Sequence, residues 1–520
     1  MATSEKSKEN EFSRRQILKL AGYGAMGVLA GNLWPGVGLS AASQKKSSNN
    51  DSAFVPDLDI SLTARPAQVS IFPGEPTQVW QYHAAVHTGN QDRVMRIPQS
   101  YLGPIIKAHQ GEKVRIRFIN DIPQESIVHW HGLHVPATMD GHPRYVVKRG
   151  NSYLYEFQVK NRAGTYWYHP HPHGSTGPQV YGGLAGLFLV SDDEEPSAGL
   201  PSNEFDIPLV IQDRTFDREN QLIYTTGHPM EQMTGFLGDA VMVNGRPEFT
   251  LSVSTSTYRL RILNGSNSRI YCLAWNNDRP LTVIGNDGGL LEKPVKRPYV
   301  FLGPGERLEI WADFSSDPVG SETALISLPF SAETMGRGMM GRGMMNRQAL
   351  PNGAGLSIIK INVTKGEENA LALPEKLSVL EPVRQEEAVN VADPKKFFLT
   401  MNHMQWSING RTFEIEGVAD DEIVRLGSKE IWEFHNTGGG MMNMPHPIHL
   451  HGKQFRVIER GGVRHEGYVD EGWKDTVLLM PGESIRIMVD FEDYPGLYLY
   501  HCHNLEHEDM GMMRNYYVKA

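Results

Sequence analysis

Two cysteines among 520 residues cannot build a disulfide framework, so this fold must be held by its cores. Long helical periodicity is scarce as well, which argues against a helix bundle. Neither sign of charge is in large excess: 50 Lys and Arg against 60 Asp and Glu leave −10, without the basic surplus that grips nucleic acid. The one apolar stretch near the N-terminus is too short and too rich in glycine to read as a membrane span. What remains is an ordinary soluble composition and enough chain for two to four domains. Of the two cysteines, Cys272 in the apolar run "RIYCLAW" reads as a buried core thiol, which leaves Cys502 as the functional sulfur.

The first 45 residues stand apart. "FSRRQILKLAGYGAMGVLAGNLWPGVGLSAAS" sets paired arginines, Arg14 and Arg15, before an apolar stretch and a small-residue exit, the plan of an export signal. "SRRQILK" resembles the twin-arginine motif, which implies export of the folded protein to the periplasm or the cell exterior, with cleavage expected after Ala42.

Beyond residue 50, short β-rich runs dominate: "EKVRIRFIN", "SYLYEFQV", "LAGLFLV", "TYRLRILN", "ERLEIWADF", "EIWEFHN" and "ESIRIMVDF". Turn signals such as "PGE", "NGR" and "NDGG" separate them, so the expected fold is all-β, in β-sandwich or Greek-key barrel domains. Runs ending "IRFIN", "LRILN" and "WEFHN" suggest three tandem copies of one sandwich, at 55–195, 204–365 and 390–520. Acidic and charged linkers join them.

Four His-x-His pairs carry the chemistry: His129 with His131, His169 with His171, His449 with His451, and His501 with His503. Alternate residues of a strand share a face, so each pair presents two imidazoles side by side. Eight imidazoles are too many for one ion and suffice for a cluster of about three. Two pairs fall in the first expected sandwich and two in the third, which places the cluster where these meet. Cys502, between His501 and His503, must face the other way. His446, His507 and Met512 are suitable companions for it, and two histidines, a thiolate and a thioether form a blue-copper set. A zinc site is the rival, though redox-silent zinc gives no reason to couple the two sites through one strand.

"HWHGLHVP", "WYHPHPHG", "HPIHLHG" and "HCHNLEHEDMGMM" resemble the four copper motifs of the three-domain multicopper oxidases, the family of laccases, bilirubin oxidase and bacterial copper efflux oxidase. The resemblance runs over nearly all of the chain past the signal, and it implies cupredoxin-like domains and four copper ions. By position it makes His446, Cys502, His507 and Met512 the type 1 ligands. His129 and His449 would hold the type 2 ion, and His131, His169, His171, His451, His501 and His503 the type 3 pair. His173 resembles an extra residue of the efflux oxidases and is not expected to bind metal. Reducing dioxygen also takes protons, and the resemblance points to Glu508 and Asp140 as their donors.

The electron donor is less defined. "ETMGRGMMGRGMMNRQ", residues 333 to 348, sets Met335, Met339, Met340, Met344 and Met345 among glycines and arginines, and Met441 and Met442, with Met444, precede His446. Thioethers prefer Cu(I), so both segments are candidate cuprous sites; the alternatives are a low-complexity linker and an apolar wall. The first segment resembles the methionine-rich insertion of efflux oxidases, but is shorter, lacks histidine and comes earlier in the chain.

Three functions follow as expectations. The first is an exported oxidase, expected to be monomeric, that takes electrons from Cu(I), from small aromatic reductants such as phenols and diamines, or from both, and passes them to dioxygen; its laccase-type form has no cuprous role. The second is a non-enzymatic protein of the same fold, against which all twelve ligand positions stand. The third is a copper nitrite reductase, a family that lacks this His-Cys-His pairing.

Overall fold

Each run read as a strand from its residue pattern forms one. "TYRLRILN" is the strand Thr257–Asn264, "KVRIRFIN" is Lys113–Asn120 and "KEIWEFHN" is Lys429–Asn436. The computed structural model describes residues 54–224, 229–331, 350–367, 370–402, 404–437, 443–462 and 465–520. The signal at 1–45, the methionines Met335 to Met345, and Met441 and Met442 lie outside the described residues.

Six sheets follow one another in three pairs. A four-stranded and a five-stranded sheet span Leu58 to Ser191, a seven- and a five-stranded sheet Asp206 to Lys365, and a six- and a five-stranded sheet Lys395 to Lys519. Each pair closes on its own apolar core, with Trp130 and Phe118 in the first, Trp311 and Ile310 in the second, and Trp432 and Phe434 in the third. Among the described residues helices are few and short, and the protein is all-β.

One module recurs three times. In each sheet pair the opening strand runs parallel to the strand that ends in asparagine, with Ala64 opposite Asn120, Ile211 opposite Asn264 and Leu399 opposite Asn436. All three asparagines are buried, and each Nδ2 donates to two carbonyls: Gln124 and Val147, Arg269 and Leu302, Met444 and Leu479. A buried amide satisfied in this way ties the strand end to the following loop. In the first and third pairs those loops lead to the histidine-bearing strands Val128–His131 and His446–Leu450.

Candidate metal centre

Strand pairing brings the four histidine pairs together two by two. His129 lies opposite His169 across Val128–His131 and Gly164–Pro170, and His449 opposite His501 across His446–Leu450 and Gly496–Cys502. All eight imidazoles are fully buried and their rings interlock: His131 stacks on His449 at 3.7 Å and His129 on His451 at 3.7 Å. First and third sheet pairs therefore meet face to face through histidine, as the spacing predicts.

Donor atoms gather into trios within 4.8 Å: His131, His169 and His503; His171, His451 and His501; and His129, His131 and His449. Outer contacts settle which nitrogen of most rings faces inward. Nδ1 of His129 donates to the Asp140 carbonyl at 2.7 Å, and Nδ1 of His449 to the Asp475 carbonyl at 2.8 Å. Nδ1 of His169 and of His501 likewise bond backbone oxygens, and Nδ1 of His451 bonds Asp140 Oδ2 at 2.8 Å. These five rings turn Nε2 inward. His131 is the reverse, with Nε2 held 3.0 Å from both Asp475 Oδ1 and Thr476 Oγ1. Burial pushes the ring pKa values down, to about 3 for His169 and about 4 for His501, so the imidazoles are neutral and keep a lone pair.

These residues fit a metal cluster. His131 Nδ1, His169 Nε2, His171 Nδ1 and both nitrogens of His503 are buried without a hydrogen-bond partner among the described residues, an arrangement that costs free energy unless each lone pair meets a cation.

Cys502 points away from the cluster into the core of the third sheet pair, as strand alternation requires. His446 Nδ1 lies 3.4 Å and His507 Nδ1 3.6 Å from its sulfur, and the three side chains are buried. His507 shows Nδ1 to the sulfur because its Nε2 donates to the Met233 carbonyl at 2.8 Å. Asn504 caps the short helix Leu505–Asp509 that carries His507. Met512, fully buried in the same core, closes the loop: its N–H bonds the His507 carbonyl at 2.9 Å and its carbonyl accepts from Cys502 N at 3.1 Å. Burial raises the free thiol, so a bound cation is what makes it a thiolate. The donor atoms of His446, Cys502 and His507 thus lie within 4.8 Å of one another with Met512 buried in the same core, and the flanking residues His501 and His503 join this site to the cluster.

Both candidate carboxylates sit against the cluster. Glu508 is 3.4 Å from His171 Nε2 and 3.2 Å from His501 Nδ1, and Asp140 contacts His451 and His129. Burial drives both carboxyls well above the usual range. His173 is exposed beside Phe413, away from the metal trios. Met444 is buried in the core that contains Cys502.

Sequence reasoning missed Asp475, Thr476, Arg307 and Trp406. Asp475 offered one faint signal, an acid beside the apolar run "TVLLM", where an unpaired charge is costly.

The multicopper oxidase family matches residues 78–195 and 388–520. A multicopper oxidase of Staphylococcus aureus is 33% identical over 433 residues, covering 82% of this chain and 84% of its own. A laccase of Bacillus stratosphericus is 32% identical over 500 residues, covering 84% and 90%. The crystal structure of McoA multicopper oxidase from the hyperthermophile Aquifex aeolicus shares 36% identity and a TM-score of 0.75, over 90% of this chain and 97% of that one. With its cupredoxin-like sandwiches, its interlocked imidazoles and the sulfur site strung on the same strand, this chain belongs to the multicopper oxidase family and is an oxidoreductase.

Proposed function

We propose that this protein is an exported oxidase that takes single electrons from a donor beside Cys502 and delivers four to dioxygen at the histidine cluster, with water as product. The observation that carries the reading is the placement of Cys502 between two cluster histidines. Its backbone gives an unbroken covalent path from the sulfur to His501 and His503. Copper held there supplies one-electron chemistry that neither the thiol nor the imidazoles possess.

Four ions account for the donors: one at His446, Cys502, His507 and Met512, one at His129 and His449, and two at the trios His131, His169, His503 and His171, His451, His501. Glu508 and Asp140 hold and pass protons from their places beside the imidazoles. Each sheet pair is one domain, at 55–195, 204–365 and 390–520. Arg14 and Arg15 direct twin-arginine export to the periplasm or cell exterior. Among the described residues no helix is long and apolar enough to cross a membrane.

For the donor we favour Cu(I) together with small phenols or diamines. The C-terminal stem of the methionine-rich segment supports this. Arg269 holds the Leu350 and Pro351 carbonyls at 2.9 and 3.1 Å, and its neighbour Ser268 bonds Asn504 at 2.9 Å, two residues from Cys502. Leu350, where the described residues resume after the segment, is thus linked through Arg269 and Ser268 to the loop that follows Cys502.

Purified, copper-loaded protein is expected to be blue and to consume oxygen with Cu(I), a phenol or a diamine, without turning over nitrite. A blue protein inert toward oxygen with all three donors contradicts the oxidase reading, and a copper-loaded but colourless protein contradicts the copper–thiolate site.

A further inference from the structure

Trp406 lies on Gln405–Ile408, the edge strand of its six-stranded sheet, next to Met404 and Gln405, which are both exposed. The indole is buried and packs on both imidazoles of the sulfur site. Its centroid is 4.7 Å from that of His446, with the planes at 77°, and 4.8 Å from that of His507, at 39°. The contact is fixed by more than packing. Nε1–H donates to the Met233 carbonyl at 3.0 Å, and the same oxygen accepts from His507 Nε2 at 2.8 Å. One acceptor thereby locks the indole and the imidazole against each other. His446 and His507 are 1% and 0% exposed, so no donor in solution touches either ring. An aliphatic side chain could cover the same surface but would leave part of the indole's volume empty. The indole adds a polarisable π system that spans from just beneath exposed residues to both imidazoles.

We propose that Trp406 is the bridge through which the donor's electron reaches the Cys502 site. The donor approaches at Met404 and Gln405 and loses one electron; the copper held by His446, Cys502 and His507 gains it, and no bond in the protein is made or broken. The inference rests on the reading of that site as copper. It makes the strand Gln405–Ile408, rather than an imidazole edge, the surface that selects donors.

The test is anaerobic stopped-flow reduction of the blue band in copper-loaded protein, using hexacyanoferrate(II) as an anionic and hexaammineruthenium(II) as a cationic reductant. Rates are compared at equal driving force, from the measured potential of each variant. Trp406→Leu is expected to slow reduction by both reagents about tenfold, equivalent to about 1.4 kcal/mol of barrier, while Trp406→Phe, which keeps a ring, stays close to the parent. Because the leucine variant risks losing copper, an exposed position supplies an independent arm. Gln405→Glu should slow the anion and speed the cation, Gln405→Lys should do the opposite, and both effects should shrink in high salt. Reduction of Trp406→Leu at the parent rate, or charge changes at Gln405 that leave both reagents unaffected, overturns the bridge. A parent protein with no blue band overturns the copper reading itself before any variant is made.

Discussion

Arg307 and Asp475 face each other in the interior as guanidinium and carboxylate, with Nη1 2.7 Å from Oδ1 and Nη2 on Oδ2, and both side chains are fully buried. Arg307 comes from the middle sheet pair, which gives the metal trios no ligand, and it also donates to the carbonyls of Thr165, Gly305 and Asp287. Asp475 in turn orients His131 through its carboxylate and His449 through its carbonyl. The middle sheet pair thus braces a cluster built by the other two.

Replacing Arg307 with methionine leaves Asp475 as an uncompensated buried charge, and the expected loss of stability is about 3–5 kcal/mol. Denaturant unfolding of metal-free parent and variant measures it without any contribution from copper. A loss under about 1 kcal/mol, the range of an exposed pair, would mean that the pair does not brace the site.

Glu508→Gln keeps size and hydrogen-bonding capacity but cannot give up a proton. Turnover should fall while donors still bleach the blue band, so that the site beside Cys502 stays reduced under air. Reoxidation by oxygen at the parent rate would move the proton role to Asp140.

Replacing Met335, Met339, Met340, Met344 and Met345 with serine removes soft donors and touches no histidine. The half-saturation concentration for Cu(I) should rise with the blue spectrum unchanged, and oxidation of a bulky phenol should hold or increase. An unchanged Cu(I) dependence would make the segment a linker and move the protein toward the laccase side of its family.

Glu309 gives the stability profile an acid limb. Burial pushes its carboxyl up, but Arg259 at 2.8 Å, Arg261 at 3.1 Å and the Thr165 hydroxyl outweigh this and hold it at about 2. A folded pKa below the unfolded value gives stability that is present in full above about pH 4.5 and lost as pH falls toward 2. Glu309→Gln should be less stable than the parent at pH 7, with the gap in Tm narrowing on acidification; a gap independent of pH would contradict the assignment.

Local patterns carried what the sequence could reveal. His-x-His on a strand and one cysteine between two histidines are relations over two residues, and strand geometry alone turns them into a cluster on one face and a sulfur on the other. The asparagine ending each repeated strand was visible for the same reason. Arg307 and Asp475 are 168 residues apart, and Trp406 meets Met233 across 173, so no local pattern pointed to either contact. The strand Thr257–Asn264 shows another limit. Arg259 and Arg261 alternate there with apolar residues, yet every position is buried, because Glu309, Glu195 and Asp206 pair with the two arginines.

Copper stoichiometry in Cys502→Ser, read together with the visible spectrum, tests whether one cysteine couples a blue site to a separate histidine cluster. Four copper ions and a strong thiolate-to-copper band are expected in the parent. The variant should lose that band and donor oxidation, and should keep the copper of the cluster, whose histidine ligands are all untouched. A variant that stays blue, or that oxidises an organic donor at the parent rate, would contradict that coupling.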